Sequence, residues 1–135
     1  MIITRRDILK AIRTEKLKAG AFIETKKKWD VTNSVDVYYE DDTCKVCAVG
    51  AVLRQTGTSS ETIEDRAYGI TCQYGLTPRG DEGDEFEAIK YNLYMNALSI
   101  RFERLAAEHG CGKKTRQKLA WFVKRHFPKT IKVAV

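Results

Sequence analysis

Apolar side chains recur at helical spacing near the start of the chain, from Ile8 to Leu17. This stripe predicts a first amphipathic helix. We expect the helix to begin at Thr4, because a threonine hydroxyl can accept a hydrogen bond from the backbone N–H three residues later. Gly20 is its expected end, since glycine commonly follows the last turn of a helix.

A second apolar segment, with the sequence CAVGAVL, begins at the second of two closely spaced cysteines. We expect a helix over about residues 44–55, capped by Asp42 or Thr43. The segment is apolar nearly all round, which is typical of a buried helix. A glycine inside a helix costs roughly 1 kcal/mol relative to alanine, so Gly50 predicts close contact with another backbone.

The longest helical pattern runs through residues 84–110. Acidic residues fill its first turn, which suits the positive end of the helix dipole. Two adjacent apolar stripes follow and predict one long central helix, bent at its asparagines and ended by Gly110. A last helix is expected from Thr115 to the residue before Pro128, because proline disfavours helical geometry in its predecessor.

Alternating apolar and polar residues predict strands at 35–40 and 130–135. The terminal strand is expected to pair either with the 35–40 segment or with the apolar start of the chain. Residues 21–24 are a candidate short strand, and residues 26–34 are expected to form a loop. The pattern therefore predicts an α+β fold in a single domain of residues 1–135. It contains four or five helices, one of them long and central, packed with a small antiparallel or mixed sheet.

Charge is distributed unevenly along the 135 residues, whose net charge is +6. Residues 1–28 hold nine Lys/Arg and three acidic residues, and residues 109–135 hold eight Lys/Arg and no acidic residue. The 80 residues between them hold seven Lys/Arg and fifteen acidic residues. The basic ends predict a surface for a polyanion or an acidic partner, unless they fold back on the acidic middle and neutralise it.

No apolar run approaches the roughly 18 residues that a membrane span needs, and the first residues lack the apolar core of a secretory signal. We therefore expect no membrane partner and a reducing cytoplasmic location.

The predicted last helix is the strongest candidate for a binding surface, because Trp121 lies among cations there and could stack on a base. The alternative is that Trp121 forms the edge of the core and the cations are only solvated. The candidate binding residues of this helix are Lys114, Arg116, Lys118, Trp121, Lys124 and Arg125.

An acidic segment precedes the long helix and offers a second candidate contact site, through Asp81, Glu82, Asp84 and Glu85. In that case the acidic middle of the chain would mimic a nucleic acid. The alternative is that these residues are solvated or cap the helix, since acidic residues are common in turns and at helix starts.

Cys44 and Cys47 have the spacing of a zinc knuckle. A structural zinc site needs about four ligands, and the remaining candidates are Cys72, Cys111, His109 and His126. No second pair with ligand spacing exists among them. Alternatively, a thiol at a helix start has a lowered pKa and can act as a nucleophile, or Cys47 is simply a small apolar residue of a buried helix. We expect the last of these, with no metal, no cofactor and no catalytic residue.

The segment CKVCAVGAVLRQTG resembles a C-x-x-G-A-L type helix of small phage and prophage accessory proteins. The resemblance spans most of the chain and rests on packing residues. Its further parts are Gly20-Ala21-Phe22, Ala97-Leu98-Ser99, Phe102-Glu103, Phe127-Pro128, Ile131 and Val133. The resemblance implies a shared fold and a phage-like origin, and it implies no catalytic residue.

Small phage proteins of this kind often bind a host complex, including defence complexes such as CRISPR effectors. By that analogy we expect a non-enzymatic inhibitor that binds a host protein or ribonucleoprotein complex in the host cytoplasm. A small nucleic-acid-binding protein that uses its basic C-terminal helix is one alternative. A zinc-stabilised regulator is another.

Overall fold

The structure is a computed structural model and describes residues 1–72 and 84–133. The α+β class is as expected, although these residues form six α-helices rather than four or five. The helices are α1 Arg5–Thr14, α2 Ala48–Gln55, α3 Ile63–Cys72, α4 Glu85–Lys90, α5 Tyr94–His109 and α6 Lys113–His126. The strands are β1 Ile2–Thr4, β2 Lys26–Asp30, β3 Val35–Tyr39 and β4 Thr130–Lys132. A single 3₁₀ turn, Ser60–Thr62, precedes α3.

Helix α1 begins where the sequence predicts and ends six residues early. The Thr4 hydroxyl accepts a 3.0 Å hydrogen bond from the Asp7 backbone N–H, as expected for the cap. The predicted end at Gly20 is wrong, because the chain leaves the helix after Thr14 and Leu17 forms a parallel bridge with Val46. Backbone pairing with a distant segment therefore replaces the last predicted helical turn.

Helix α2 starts after Cys47, not at residue 44. The residues just before it are extended, because Val46 bridges both Leu17 and Ile23. A strand is predicted at residues 21–24. Within the described chain, this segment forms only the isolated bridge between Ile23 and Val46. Every residue from Ala48 to Leu53 is buried, as the apolar pattern predicts.

Arg54, at the end of α2, forms hydrogen bonds to the backbone of residues 41–44, which precede the helix. Its guanidinium donates to the carbonyl oxygens of Cys44 at 2.9 Å and Asp41 at 3.3 Å, and it pairs with Glu15 at 3.4 Å. Because its side chain is 12% exposed, these bonds are largely shielded from water.

The predicted long helix is two helices, which corrects the expectation of one continuous element. Asn92 has a φ of 60°, in the left-handed region that asparagine tolerates better than most residues, and it separates α4 from α5. This break lets α4 fold back on α5. Helix α5 carries much of the core, with Ala97, Leu98 and Phe102 fully buried.

Two separate antiparallel sheets form within the described residues. Strand β1 pairs with β4 in the register Ile3↔Ile131, so the terminal strand pairs with the start of the chain and not with residues 35–40. Strand β3 pairs with β2 to form a hairpin, and the loop predicted over residues 26–34 is therefore wrong for 26–30. The segment KKKWD was missed because strands exposed on both faces need no alternation of apolar and polar residues.

Candidate nucleic-acid interface

Helix α6 presents one side to the core and the other to water. Leu119, Phe122 and Val123 are fully buried. The buried Thr115 hydroxyl donates to the Leu105 carbonyl oxygen at 3.2 Å and so holds the start of α6 against the end of α5. This packing leaves the opposite side of α6 in water, where four of the five predicted cations lie, namely Lys114, Lys118, Lys124 and Arg125.

Four of the predicted binding residues form one exposed stripe along α6. Lys114, Lys118, Trp121 and Arg125 are separated by steps of four, three and four residues, which places them one above another on a helix. Trp121 is 56% exposed and is not among the side chains of the core cluster, so more than half of its surface is open to a ligand. The Arg125 guanidinium carbon lies 5.1 Å from the centre of the indole ring, within the range of a cation–π contact.

The stripe borders an open groove of about 600 Å³ between α5 and α6. Trp121 and the ammonium-bearing Lys114 and Lys118 line it from α6, while Arg101 and His109 line it from α5. Glu108 is the acidic residue of this lining, and its carboxylate lies 3.7 Å from His109 Nε2. The groove therefore combines one aromatic ring with an excess of positive charge.

The other two predicted cations of α6 have different roles. Arg116 is half-buried and donates from its guanidinium to the carbonyl oxygens of Ile12 at 2.6 Å and Arg13 at 3.4 Å. It satisfies carbonyls in the last turn of α1, where a cation is favoured by the helix dipole. Lys124 is exposed.

Helices α1 and α6 lie side by side in opposite directions. Arg116, near the start of α6, reaches the end of α1. Arg5, at the start of α1, donates to the carbonyl oxygen of Phe127, just after α6, at 3.1 Å. The two basic ends of the chain are thereby brought together. The other alternative also holds in part, because Lys26 and Lys27 pair with Asp41 at 3.8 Å and with Asp36 at 3.9 Å in the acidic middle.

A second groove of about 990 Å³ runs along α1 and was not predicted as a site. Five cations line it, against Asp7 as its one acidic lining residue. The signal was present in the sequence, because Arg6, Lys10 and Arg13 recur at helical spacing in the first helix. The five cations, called the α1 cation cluster below, are Arg5, Arg6, Lys10, Arg13 and Lys129.

Only half of the predicted acidic site falls within the described residues. Asp81 and Glu82 lie outside them. The Asp84 carboxylate accepts from the Phe86 backbone N–H at 2.7 Å and caps α4. Glu85 is 3% exposed, and its carboxylate forms salt bridges with the guanidinium groups of Arg101 at 3.3 Å and Arg104 at 2.7 Å. Glu85 is therefore an internal partner of arginines rather than an exposed contact.

The cysteine pair is part of the core. Cys44 and Cys47 are both buried, and the Cys47 sulfur accepts from the Gly50 backbone N–H at 3.4 Å as the cap of α2. Burial raises the pKa of the Cys47 thiol to about 12, which argues against the alternative of a thiol with a lowered pKa at this helix start. Among the described residues no three His, Cys, Asp or Glu side chains are grouped as metal ligands. The side chain of Cys72, one candidate ligand, lies outside the described part.

Comparison with models of protein families, with curated proteins and with solved structures finds no match for this chain. Within residues 1–72 and 84–133, no helix has the length and apolar character to cross a membrane.

Proposed function

We propose that this protein binds nucleic acid through a basic surface made by its first and last helices. The observation that carries the proposal is the α1 cation cluster, in which five cations line one groove against a single acidic residue. Phosphate oxygens are the ligands that such a cluster fits, because contacts from lysine and arginine to the phosphate backbone supply most of the affinity in sequence-independent binding.

The spacing of the cations suits a phosphate backbone. Arg6 and Arg13 are seven residues apart, a distance of about 10 Å along a helix. In duplex DNA each strand carries one phosphate per roughly 3.4 Å of axis, so α1 is long enough to follow about three phosphates. Lys10 lies between the two arginines on the same side of α1 and is exposed.

The groove between α5 and α6 adds a contact of a different kind. Trp121 offers an exposed ring beside Lys114 and Lys118. An aromatic ring that stacks on a base contributes roughly 1–3 kcal/mol, with little dependence on base identity. The proposed interface therefore combines phosphate contacts along α1 with one stacking position on α6.

A titration of labelled duplex and single-stranded oligonucleotides, followed by fluorescence anisotropy across a salt series, tests the proposal. If all five cations of the α1 cluster contact duplex phosphates, the salt slope is about −4.5, which is roughly a 500-fold loss of affinity between about 50 and 200 mM salt. The triple variant Arg6→Gln, Lys10→Gln, Arg13→Gln should reduce that slope by about 2.7.

A matched control removes three exposed cations that line neither groove, through Lys16→Gln, Lys28→Gln and Lys90→Gln. Both triple variants change the net charge equally, so a site-specific interface requires the first to lose far more affinity than the second. Equal losses, or no binding by the unaltered chain at low salt, would contradict the proposal.

The inhibitor of a host nucleic-acid-handling complex is a second candidate. It is favoured by the antiparallel pairing of α1 and α6, which brings cations from both ends of the chain together. Such a set of cations would also fit an acidic groove of a host complex or the nucleic acid that the complex holds. Capture of a complex from host lysate that depends on Arg6, Lys10 and Arg13, without affinity for free oligonucleotides, would favour this candidate over the first.

A further inference from the structure

The β2–β3 hairpin exposes an unusual amount of apolar surface. Eleven large apolar side chains are exposed in the described part of the chain, and six of them lie between residues 29 and 39. Surface apolar groups concentrated in this way mark interaction sites. The six are Trp29, Val31, Val35, Val37, Tyr38 and Tyr39.

The hairpin stands apart from the core. None of its strand residues is buried, and its sheet has only two strands. No backbone hydrogen bond joins the outer edge of either strand to another described part of the chain. A two-stranded hairpin is marginally stable by itself in water, so a further strand on one of these edges would stabilise it.

The two outer edges differ in chemistry. Strand β2 carries Lys26, Lys27 and Lys28 in succession, and lysines on an edge strand oppose pairing with another strand. Strand β3 has the sequence VDVYY, in which β-branched and aromatic residues favour pairing and Asp36 is the one charged side chain. The edge of β3 is therefore the one open to an added strand.

We propose that β3 pairs with β3 of a second copy of this chain, antiparallel, across a two-fold axis at Val37. In this register Val37 faces Val37 of the second copy, Val35 faces Tyr39, and Asp36 faces Tyr38. Each opposed pair is either apolar on both sides or a carboxylate beside a phenol, and cross-strand pairs of this kind stabilise a sheet. The contact is self-complementary, as a closed two-fold dimer requires.

The neighbouring registers are disfavoured by charge. An axis at Asp36 would place Asp36 opposite itself, and an axis at Tyr38 would place Asp36 opposite Glu40. Like charges directly opposite each other destabilise a sheet. A shift by a single residue is also excluded, because it would oppose side chains that point to different faces. The sequence of β3 thus selects the Val37 axis.

The resulting dimer would contain one continuous four-stranded antiparallel sheet in the order β2, β3, β3, β2. Its two outer edges would be the lysine-bearing strands, which resist further pairing. The assembly would stop at two copies. This inference does not depend on nucleic-acid binding, because none of the hairpin residues lines either basic groove.

Sedimentation equilibrium of the purified chain at increasing concentration tests the dimer, whose mass would be twice 15.4 kDa. Val37→Lys places two ammonium groups opposite each other on the axis and should raise the dissociation constant by about tenfold or more. Val31→Lys is the matched control, since Val31 is 79% exposed but lies in the turn, outside the proposed pairing. Circular dichroism of both variants verifies that the fold is retained.

A cysteine cross-link tests the register. In the proposed dimer the two Cα atoms at position 37 would lie about 4.5–5.5 Å apart, within the roughly 4.4–6.8 Å of a disulfide. Val37→Cys should therefore form a disulfide-linked dimer on oxidation. Val35→Cys should not, because four residues of offset separate its two copies by about 14 Å. Both variants retain the natural cysteines, so cross-linking through those cysteines is the same in both. A difference in cross-linking between the two variants therefore comes from the introduced cysteine.

A chain that stays monomeric up to its solubility limit would overturn the proposal. So would a dimer that Val37→Lys leaves unchanged, or equal cross-linking of the two cysteine variants. A monomer that pairs only with a strand of another protein would likewise show that the second copy is the wrong occupant.

Discussion

Substituting Gly50 with alanine is a sharp test of the close packing between α2 and the backbone at Phe22. A Cβ atom built on Gly50 would lie 2.3 Å from the carbonyl oxygen of Phe22, and 3.1 Å from the Cβ of Val46. The Phe22 oxygen belongs to the backbone and accepts a 3.1 Å hydrogen bond from the Cys47 N–H. It can move away only by displacing the segment that crosses α2 at this point.

The free-energy cost of Gly50→Ala has three parts. Overpacking of a tight core typically costs roughly 1–3 kcal/mol, with a central value of about 2. Lengthening the Cys47–Phe22 hydrogen bond costs about 1 kcal/mol more. The higher helix propensity of alanine stabilises the folded state by about 1 kcal/mol relative to glycine and offsets part of this cost. The net loss of unfolding free energy should therefore be about 2 kcal/mol, which for a chain of this size lowers the melting temperature by roughly 6–10 °C.

Gly69→Ala is the matched control, because Gly69 also lies in a helix but has no heavy atom within 4 Å of its built Cβ. It should raise the unfolding free energy by about 0.4–1 kcal/mol. Urea unfolding of the two variants beside the unaltered chain measures both effects. If Gly50→Ala is as stable as Gly69→Ala, the close crossing between α2 and residue 22 does not exist.

Three further outcomes are expected. Arg54→Met removes the donor to two carbonyl oxygens and a carboxylate, so urea unfolding should show that the free energy of unfolding falls by about 3–5 kcal/mol. A decrease below about 1 kcal/mol would show that these bonds of Arg54 contribute little to stability. Asn92→Ala should cost about 1–2 kcal/mol in the same assay because of its left-handed φ, whereas Asn92→Gly should cost less. Thiol labelling of the native chain near pH 8, followed by mass spectrometry, should modify the half-buried Cys111 well before Cys47, whose pKa of about 12 keeps its thiol neutral; equal labelling rates would contradict the burial of Cys47.

The parts of the fold that could be predicted are those set by local chemistry. The Thr4 cap and the left-handed Gly110 need only a few neighbouring residues, and both helix boundaries are where the sequence places them. The end of α1 depends instead on Val46, which is distant in sequence and pairs with Leu17. The hairpin strand β2 was missed because it contacts little of the core and carries no apolar alternation.

The candidate site was predictable to a similar extent. The excess of cations at both ends of the chain follows from counting, and the exposed stripe on α6 follows from helical spacing. What counting cannot show is which charges have internal partners. Arg116 binds carbonyls of α1 and Glu85 binds two arginines, because tertiary packing brings together groups that the sequence keeps far apart. That Lys114, Lys118 and Trp121 bind a ligand stays a prediction.

The pairing of the first and last helices has a consequence for synthesis on the ribosome. The Arg116 bond to Ile12 spans 104 residues, so α1 emerges long before its partner α6 exists. At about 5–20 residues per second, the interval is roughly 5–20 s. During it the buried face of α1, with Ile8 and Ile12, lacks α6, and the basic surface has only its first half. If the chain binds nucleic acid as proposed, it should reach its full affinity only after α6 has been released.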